Sequence, residues 1–130
     1  MIRILQITIV CIFSTAVLSV DTKNSFADNK DLTVGFSQIG AESGWRTAET
    51  KSIRSEAKKR GVNLKFSDAQ QKQENQIKAL GAFIAQNVDA IILAPVVETG
   101  WEPVLKKAHQ RGIPVILVDR GVKVTNDDLY

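Results

Sequence analysis

The sequence predicts an α/β fold in which helices flank a Rossmann-like parallel sheet. Four short apolar segments alternate along the chain with three longer segments of helical pattern. Strands that are apolar throughout are typical of parallel sheets, because both of their faces are buried. The linking segments are long enough for helical crossovers, which are right-handed in nearly all parallel sheets.

The first half of the fold has clear boundary signals. A strand is predicted over 32–36, and a turn-rich loop and a helix over 45–60 follow it. Three basic residues end this helix and Gly61 comes next, which is the usual signal for a helix C-terminus. Apolar and polar residues alternate over 62–66, so the second strand has one less buried face.

The second half repeats the alternation with more apolar strands. Pro103 falls early in the last predicted helix, where the missing N–H of proline matters least. The predicted elements are a helix over 72–87, a strand over 90–94, a helix over 98–111 and a strand over 114–118.

Composition excludes several classes of protein. The 130 residues are 44% apolar and 24% charged, which is ordinary globular usage and excludes a disordered tail, a collagen-like repeat and a polytopic membrane protein. This length predicts one domain. The net charge is +3, but basic and acidic residues are interspersed, so charge does not indicate a nucleic-acid partner.

The N-terminus is typical of a secretory signal peptide. Arg3 precedes the apolar run Ile4–Val20, and the small residues Ser25 and Ala27 follow it. This order predicts a signal peptide over residues 1–27, cleaved after Ala27, and a mature chain over 28–130. An uncleaved membrane anchor is the alternative, because the apolar run is near the lower length limit for spanning a bilayer.

The reactive side chains are too few for most catalytic sites. Cys11 lies within the predicted signal peptide and is the only cysteine, and His109 is the only histidine. The mature chain therefore has no disulfide, thiolate metal site or multi-histidine cluster, and we expect no metal or cofactor. A Ser-His-Asp order is also lacking, so we expect a protein that is not an enzyme.

Ligands of open parallel sheets bind beyond the carboxyl ends of the strands, which restricts the search to the loops there. The loop after the first strand lacks both the dinucleotide fingerprint and a phosphate loop. The indole of Trp45 offers a stacking plate for a sugar ring, and charged groups nearby offer directed hydrogen bonds to hydroxyls. The candidate binding residues are Glu42, Ser43, Gly44, Trp45, Arg46, Asp119 and Arg120.

Each candidate has a structural alternative. Trp45 could pack between the first helix and the sheet, with Arg46 in solvent, and the Asp119–Arg120 pair could be a surface ion pair. Trp101 is expected in the core or at a partner contact, and His109 in solvent. The ends of the first and fourth strands are expected to converge on one cleft.

Three segments resemble a known family. Residues 32–46, 70–79 and 94–106 are similar to bacterial galactofuranose-binding proteins, which belong to the ribose-type periplasmic binding proteins. The likeness extends over about residues 31–130. It implies a periplasmic substrate-binding component of an ABC-type sugar importer, which binds a monosaccharide without catalysis, partners a membrane permease and is a monomer. By the same likeness, Trp45 stacks on the sugar, Asp119 accepts hydrogen bonds from hydroxyls and Arg120 donates them.

The sequence also departs from the family pattern in one respect. Family members have two lobes with the sugar between them, whereas this sequence ends at Tyr130, where the next helix of the first lobe is expected. We therefore expect residues 28–130 to form an incomplete N-terminal lobe that binds sugar weakly or not at all by itself. Three alternatives are a sugar-sensing module for a membrane receptor, the effector domain of a sugar-responsive transcription factor and a Rossmann-type enzyme.

Overall fold

A four-stranded parallel sheet organises residues 32–130, the part of the chain that the computed structural model describes. The predicted signal peptide lies outside the described residues. The fold class expected from the sequence is confirmed. In chain order the elements are β1 Thr33–Gln38, α1 Gly44–Arg60, β2 Asn63–Asp68, α2 Gln73–Ala85, β3 Ala90–Leu93, α3 Glu102–Gln110, β4 Val115–Leu117 and a 3₁₀ turn Asp127–Leu129.

Most boundaries differ from those predicted by one or two residues, and the start of the third helix differs by four. β1 runs to Gln38 instead of Phe36, because it continues to pair with β2 as far as Asp68. The third helix begins at Glu102 instead of Glu98. Gly100, with a φ of 84°, lies in the left-handed region and breaks the helical path just before it.

The strand order β2-β1-β3-β4 separates the helices onto two faces. From β1 the first crossover moves one way along the sheet, and the next two move the other way. Right-handed crossovers therefore place α1 on one face and the other two helices on the opposite face. Side-chain contacts support this placement of the helices. The Phe83 ring of α2 lies against Gly35, and the Gln38 side chain donates a hydrogen bond to Glu49 of α1.

The main core fills the space between the sheet and helices α2 and α3. Trp101 is fully buried there, and its Nε1 donates to the Val97 carbonyl at 2.7 Å, so its expected core position is confirmed. Side chains of this cluster include Leu80, Phe83, Ile91, Leu93, Leu105 and Val115.

The face under α1 is only partly covered. Parallel register aligns one row of side chains across it, namely Phe66, Phe36, Ile92 and Ile116. Arg54 of α1 lies over the Phe66 ring, and Phe36 is fully buried, but Ile116 at the other end of the row is 52% exposed. Within residues 32–130, no helix covers this face above β4. Nor does this part of the chain contain a helix with the length and apolarity needed to cross a bilayer.

Candidate functional site

The loops that follow β1, β3 and β4 meet at the carboxyl edge of the sheet. Crossovers diverge between β1 and β3, which is where ligands of open α/β sheets bind. The Val118 amide donates to the Leu93 carbonyl at 3.0 Å, and Arg120 Nη1 lies 3.4 Å from the Val96 carbonyl. The loop after β4 is therefore tied to the loop after β3.

Arg46 is the centre of a charged cluster at this edge. It lies in the first turn of α1, where the Ser43 hydroxyl accepts a hydrogen bond from its amide at 3.2 Å and caps the helix. Its Nη2 is 2.7 Å from Asp119 Oδ2, and its Nε is 3.3 Å from Glu42 Oε1. A third carboxylate, that of Glu49, lies 3.6 Å from Nη1. Groups from the ends of β1 and β4 thus converge.

The contact between Arg46 and Asp119 shifts the pKa values of both groups. Arg46 is only 6% exposed, so the alternative that places it in solvent is wrong. Burial by itself lowers the pKa of the Arg46 guanidinium, but the hydrogen bond and charge of Asp119, together with the charges of Glu49 and Glu42, outweigh burial and the pKa is raised. The hydrogen bond from Arg46 lowers the pKa of Asp119 in turn. Both groups therefore stay ionised around neutral pH.

The Asp119 backbone is held in an unfavourable conformation. Its φ of 71° lies in the left-handed region, which costs a non-glycine residue about 1 kcal/mol and is least costly for Asp and Asn. The conformation leaves Oδ2 within reach of two guanidinium groups, at 2.7 Å from Arg46 and 3.4 Å from Arg120. Arg120 itself keeps a side chain that is 45% exposed.

Trp45 lies beside this cluster and not under it. The residue is 64% exposed, so the alternative that packs it between helix and sheet is wrong. Its indole lines a cavity of about 450 Å³ on the α1 side of the sheet, together with Ile53, Val118 and Glu49. Because Glu49 also contacts Arg46, the cavity adjoins the charged cluster. Glu42 and Gly44 are exposed at the same edge.

Two buried glutamines brace the loops, and the sequence did not reveal them. Gln38 accepts from the Ile39 amide at 2.8 Å and donates to Glu49 Oε2 at 2.9 Å. Gln76 donates to the Ala94 carbonyl at 2.6 Å and accepts from the Val96 amide at 2.9 Å. Each is fully buried. Gln38 falls in a segment that the sequence predicts as a loop, so only Gln76, one turn before Leu80 on the predicted helix, gives a sequence signal.

Residues 32–130 contain no group of three or more His, Cys, Asp and Glu side chains placed to hold a metal ion. His109 is exposed on α3, as expected.

A family model for the periplasmic binding protein domain matches residues 34–130. The chain belongs to this family. The relatives that this chain matches are solute-binding proteins. One is the galactofuranose-binding protein YtfQ of Escherichia coli K12, 62% identical over 107 residues, which cover 82% of this chain and 34% of the relative. Another is the fructose import binding protein FruE of Bifidobacterium longum, 42% identical over 99 residues, or 75% of this chain and 30% of that one.

Solved structures of binding proteins agree. The periplasmic component of an arabinose ABC transporter from Shewanella sp. ANA-3, bound to α- and β-L-arabinofuranose, is 66% identical with a TM-score of 0.74, over 75% of this chain and 32% of that chain. A crystal structure of a galactofuranose-binding protein is 65% identical with a TM-score of 0.75, over 76% and 33%. This periplasmic binding protein domain thus spans about a third of the length of the relatives it matches.

Proposed function

We propose that this chain provides a sugar-binding surface of a periplasmic solute-binding protein, which serves an ABC-type importer and catalyses no reaction. The proposed ligand is a monosaccharide in the furanose form. The observation that carries the proposal is the 2.7 Å contact between Arg46 and Asp119 at the carboxyl edge of the sheet. Its support is the high identity to relatives named for galactofuranose and solved with arabinofuranose.

The proposed roles follow from the chemistry of each group. The Asp119 carboxylate accepts hydrogen bonds from sugar hydroxyls with the lone pairs that Arg46 leaves free. The half-exposed Arg120 guanidinium donates to a hydroxyl or ring oxygen, and the exposed Trp45 indole supports the C–H face of the ring. Glu42, Ser43 and Gly44 form the rim of the site, where Ser43 also caps α1.

Arg46 acts mainly by fixing Asp119. With 6% exposure and three carboxylate neighbours, its guanidinium has little surface left for a ligand. It keeps the Asp119 carboxylate ionised and oriented before the sugar arrives, which lowers the cost of ordering the site on binding. An ordered binding surface is sufficient for this function, because the binding and release of a sugar break no covalent bond.

Cellular placement is part of the same proposal. We infer that residues 1–27 are a cleaved signal peptide, that residues 28–130 reach the periplasm as a monomer and that a membrane permease is the partner. Intact mass measurement of the protein recovered from a periplasmic extract should give a chain that begins at Asp28. A mass that includes residues 1–27 would contradict cleavage.

Affinity should be low for this chain by itself. A micromolar complex corresponds to about −8 kcal/mol, and a surface that supplies half of the contacts retains about −4 kcal/mol, which is millimolar binding. The residues proposed above all lie at one edge of one sheet, so they contact a sugar from one side.

NMR titration suits binding of this strength. After circular dichroism shows that the purified protein is folded, galactofuranose, galactopyranose and ribose are titrated against its amide signals. We expect millimolar binding of the furanose, with shifts confined to residues 42–46 and 119–121. Asp119→Ala should abolish them, while His109→Gln on the exposed side of α3 should not. Micromolar affinity would contradict the one-sided site, and shifts that ignore Asp119→Ala would contradict the proposed site.

A further inference from the structure

A groove runs along the outer edge of β2, between this strand and α1, and reaches the loop that follows β1. Two cavities of about 370 and 430 Å³ form it, and they share Arg54 and Phe66. One side is the surface of α1 that carries Lys51 and Lys58, and the floor includes Leu64. We call this feature the β2 groove. It includes none of the residues proposed to contact the sugar.

The groove borders a free strand edge. Within the described sheet β2 pairs with β1 alone. At one end of the six-residue ladder the Asn63 amide donates to the Leu32 carbonyl, just before β1, at 2.8 Å, and at the other end the Ala69 amide, just after β2, donates to the Gln38 carbonyl at 3.0 Å. In a parallel ladder alternate residues bond to one neighbour, so the peptide groups between them point outward. Such an edge is a template for another extended chain.

The wall of the groove is positively charged. Lys51, Arg54 and Lys58 are three and four positions apart and so share one side of α1. Within residues 32–130, none of the three has a carboxylate within 4.0 Å, whereas Lys59 and Arg60 on the neighbouring side both pair with Glu56.

Arg54 is already positioned for an incoming acceptor. Its guanidinium carbon lies 4.1 Å from the centroid of the Phe66 ring, a cation–π contact that fixes the plane of the group. The N–H groups at its edge stay available. The one carboxylate that lines the groove, Asp68, accepts a hydrogen bond from the Gln70 amide at 2.8 Å and lies at the far end of β2.

We propose that the β2 groove binds an acidic, extended segment of a partner polypeptide, which adds to β2 as a fifth strand. From Lys51 to Lys58, α1 rises about 10 Å, at about 1.5 Å per residue. Alternate residues of a strand are about 6.7 Å apart, so two or three acidic side chains on one face of the added strand match the three cations. Charge complementarity selects the segment, and the backbone of β2 aligns it.

The probe is a fluorescently labelled hexapeptide of alternating Glu and Val, with blocked ends, measured by fluorescence anisotropy against the purified protein. We expect saturable binding that weakens as salt is added, because the cations are exposed. The double variant Lys51→Glu/Lys58→Glu should weaken binding at least tenfold. The matched control is Lys78→Glu/Lys107→Glu, which reverses two exposed lysines of α2 and α3 on the opposite face and should change the affinity less than twofold.

Backbone pairing has its own readout. Methylation of alternate amide nitrogens of the peptide in one register should abolish binding, and methylation in the other register should not. Equal loss in both registers would overturn strand addition.

Three results would overturn the proposal as a whole. They are an absence of saturable binding, equal binding of a Lys-Val hexapeptide, and unchanged affinity of the charge-reversed variant.

A further arm of the experiment measures binding of the protein to vesicles that contain phosphatidylglycerol. Binding of the protein to them through Lys51 and Lys58, with no peptide binding, would assign the groove to a membrane surface instead. Each variant is first checked by circular dichroism, and Lys and Glu have similar helix propensities.

Discussion

One guanidinium connects parts of the chain that are far apart in sequence. Arg46 contacts Glu42 and Glu49 within its own helical segment and Asp119 beyond β4. A buried ion pair adds little net stability, but removing one partner leaves uncompensated charge. Here three carboxylates would remain close together.

The variant Arg46→Met should therefore be destabilised by about 2–3 kcal/mol, below the range for fully buried pairs because Asp119 is partly exposed. Urea denaturation measures the change in the free energy of unfolding. Arg60→Met, which removes an exposed arginine paired with Glu56, is the control and should lose less than about 0.5 kcal/mol. Equal losses would show that the cluster has no special role.

At this scale the sequence predicts that the ends of the first and fourth strands converge, but not which side chains meet there. Arg46 and Asp119 were identified because charged groups at strand ends converge in a parallel sheet. The burial of Arg46 was not predictable, since it depends on Gln38 and Glu49, whose positions follow from the tertiary fold. The position of Trp45 at the cavity beside Val118 likewise depends on tertiary packing, which no local pattern reveals.

Among the elements, α2 and β1 approach closely because Gly35 has no side chain. A Cβ at this position would lie 2.5 Å from the Phe83 ring, whereas one at Gly81 on α2 would meet nothing within 4 Å. Gly35→Ala should therefore cost about 1–3 kcal/mol by overpacking. Gly81→Ala is the matched control and should stabilise the protein by about 0.5–1 kcal/mol, because glycine is unfavourable within a helix. Thermal unfolding of the two variants checks both signs, and a neutral Gly35→Ala would contradict the close packing.

The first turn of α3 is tied to the segment that follows β4. Glu102 accepts from Lys106 Nζ at 2.7 Å and from Thr125 Oγ1 at 2.6 Å. These contacts, that of Lys106 first, lower the pKa of Glu102 from 4.5 to about 2.

Stability should depend on pH through this carboxyl group. Its pKa is lower in the folded chain, so the unfolded chain binds the proton first as pH falls. The contribution is fully present above pH 4.5 and is lost between there and about pH 2. Glu102→Gln should flatten the pH dependence of the unfolding free energy in that window, with a residual slope from Asp119, Glu56 and Glu98, whose pKa values are also lowered by their basic partners.

The predicted elements largely match those observed, because strands that are apolar throughout and helix ends marked by glycine or proline are strong local signals. The start of α3 differs by four residues, since the sequence predicts Glu98 and the structure has Glu102. Residues 98–101 have no helix-breaking proline, and it is the burial of Trp101 and the turn at Gly100 that shape this segment.

At the scale of the whole sheet, residues 32–130 leave the face above β4 incompletely covered. Ile116 lies mid-strand and is 52% exposed, next to half-buried Ile92. Exposed apolar groups beside a strand edge promote aggregation.

Ile116→Lys should therefore slow aggregation on heating, as followed by light scattering, and change the unfolding free energy by less than about 0.5 kcal/mol. Val115→Lys is the control from the buried side of the same strand, and it should prevent folding. Faster aggregation of Ile116→Lys would show that this face is not the surface through which chains associate.

The two tryptophans give the protein a pair of built-in optical reporters. Trp101 is sealed in the core, whereas Trp45 stands open to solvent at the carboxyl edge. A polar quencher such as iodide therefore reaches only Trp45 while the chain is folded, and the blue-shifted emission of Trp101 persists until unfolding. Occupation of the edge and loss of the core can thus be read separately, in one cuvette and without any attached dye.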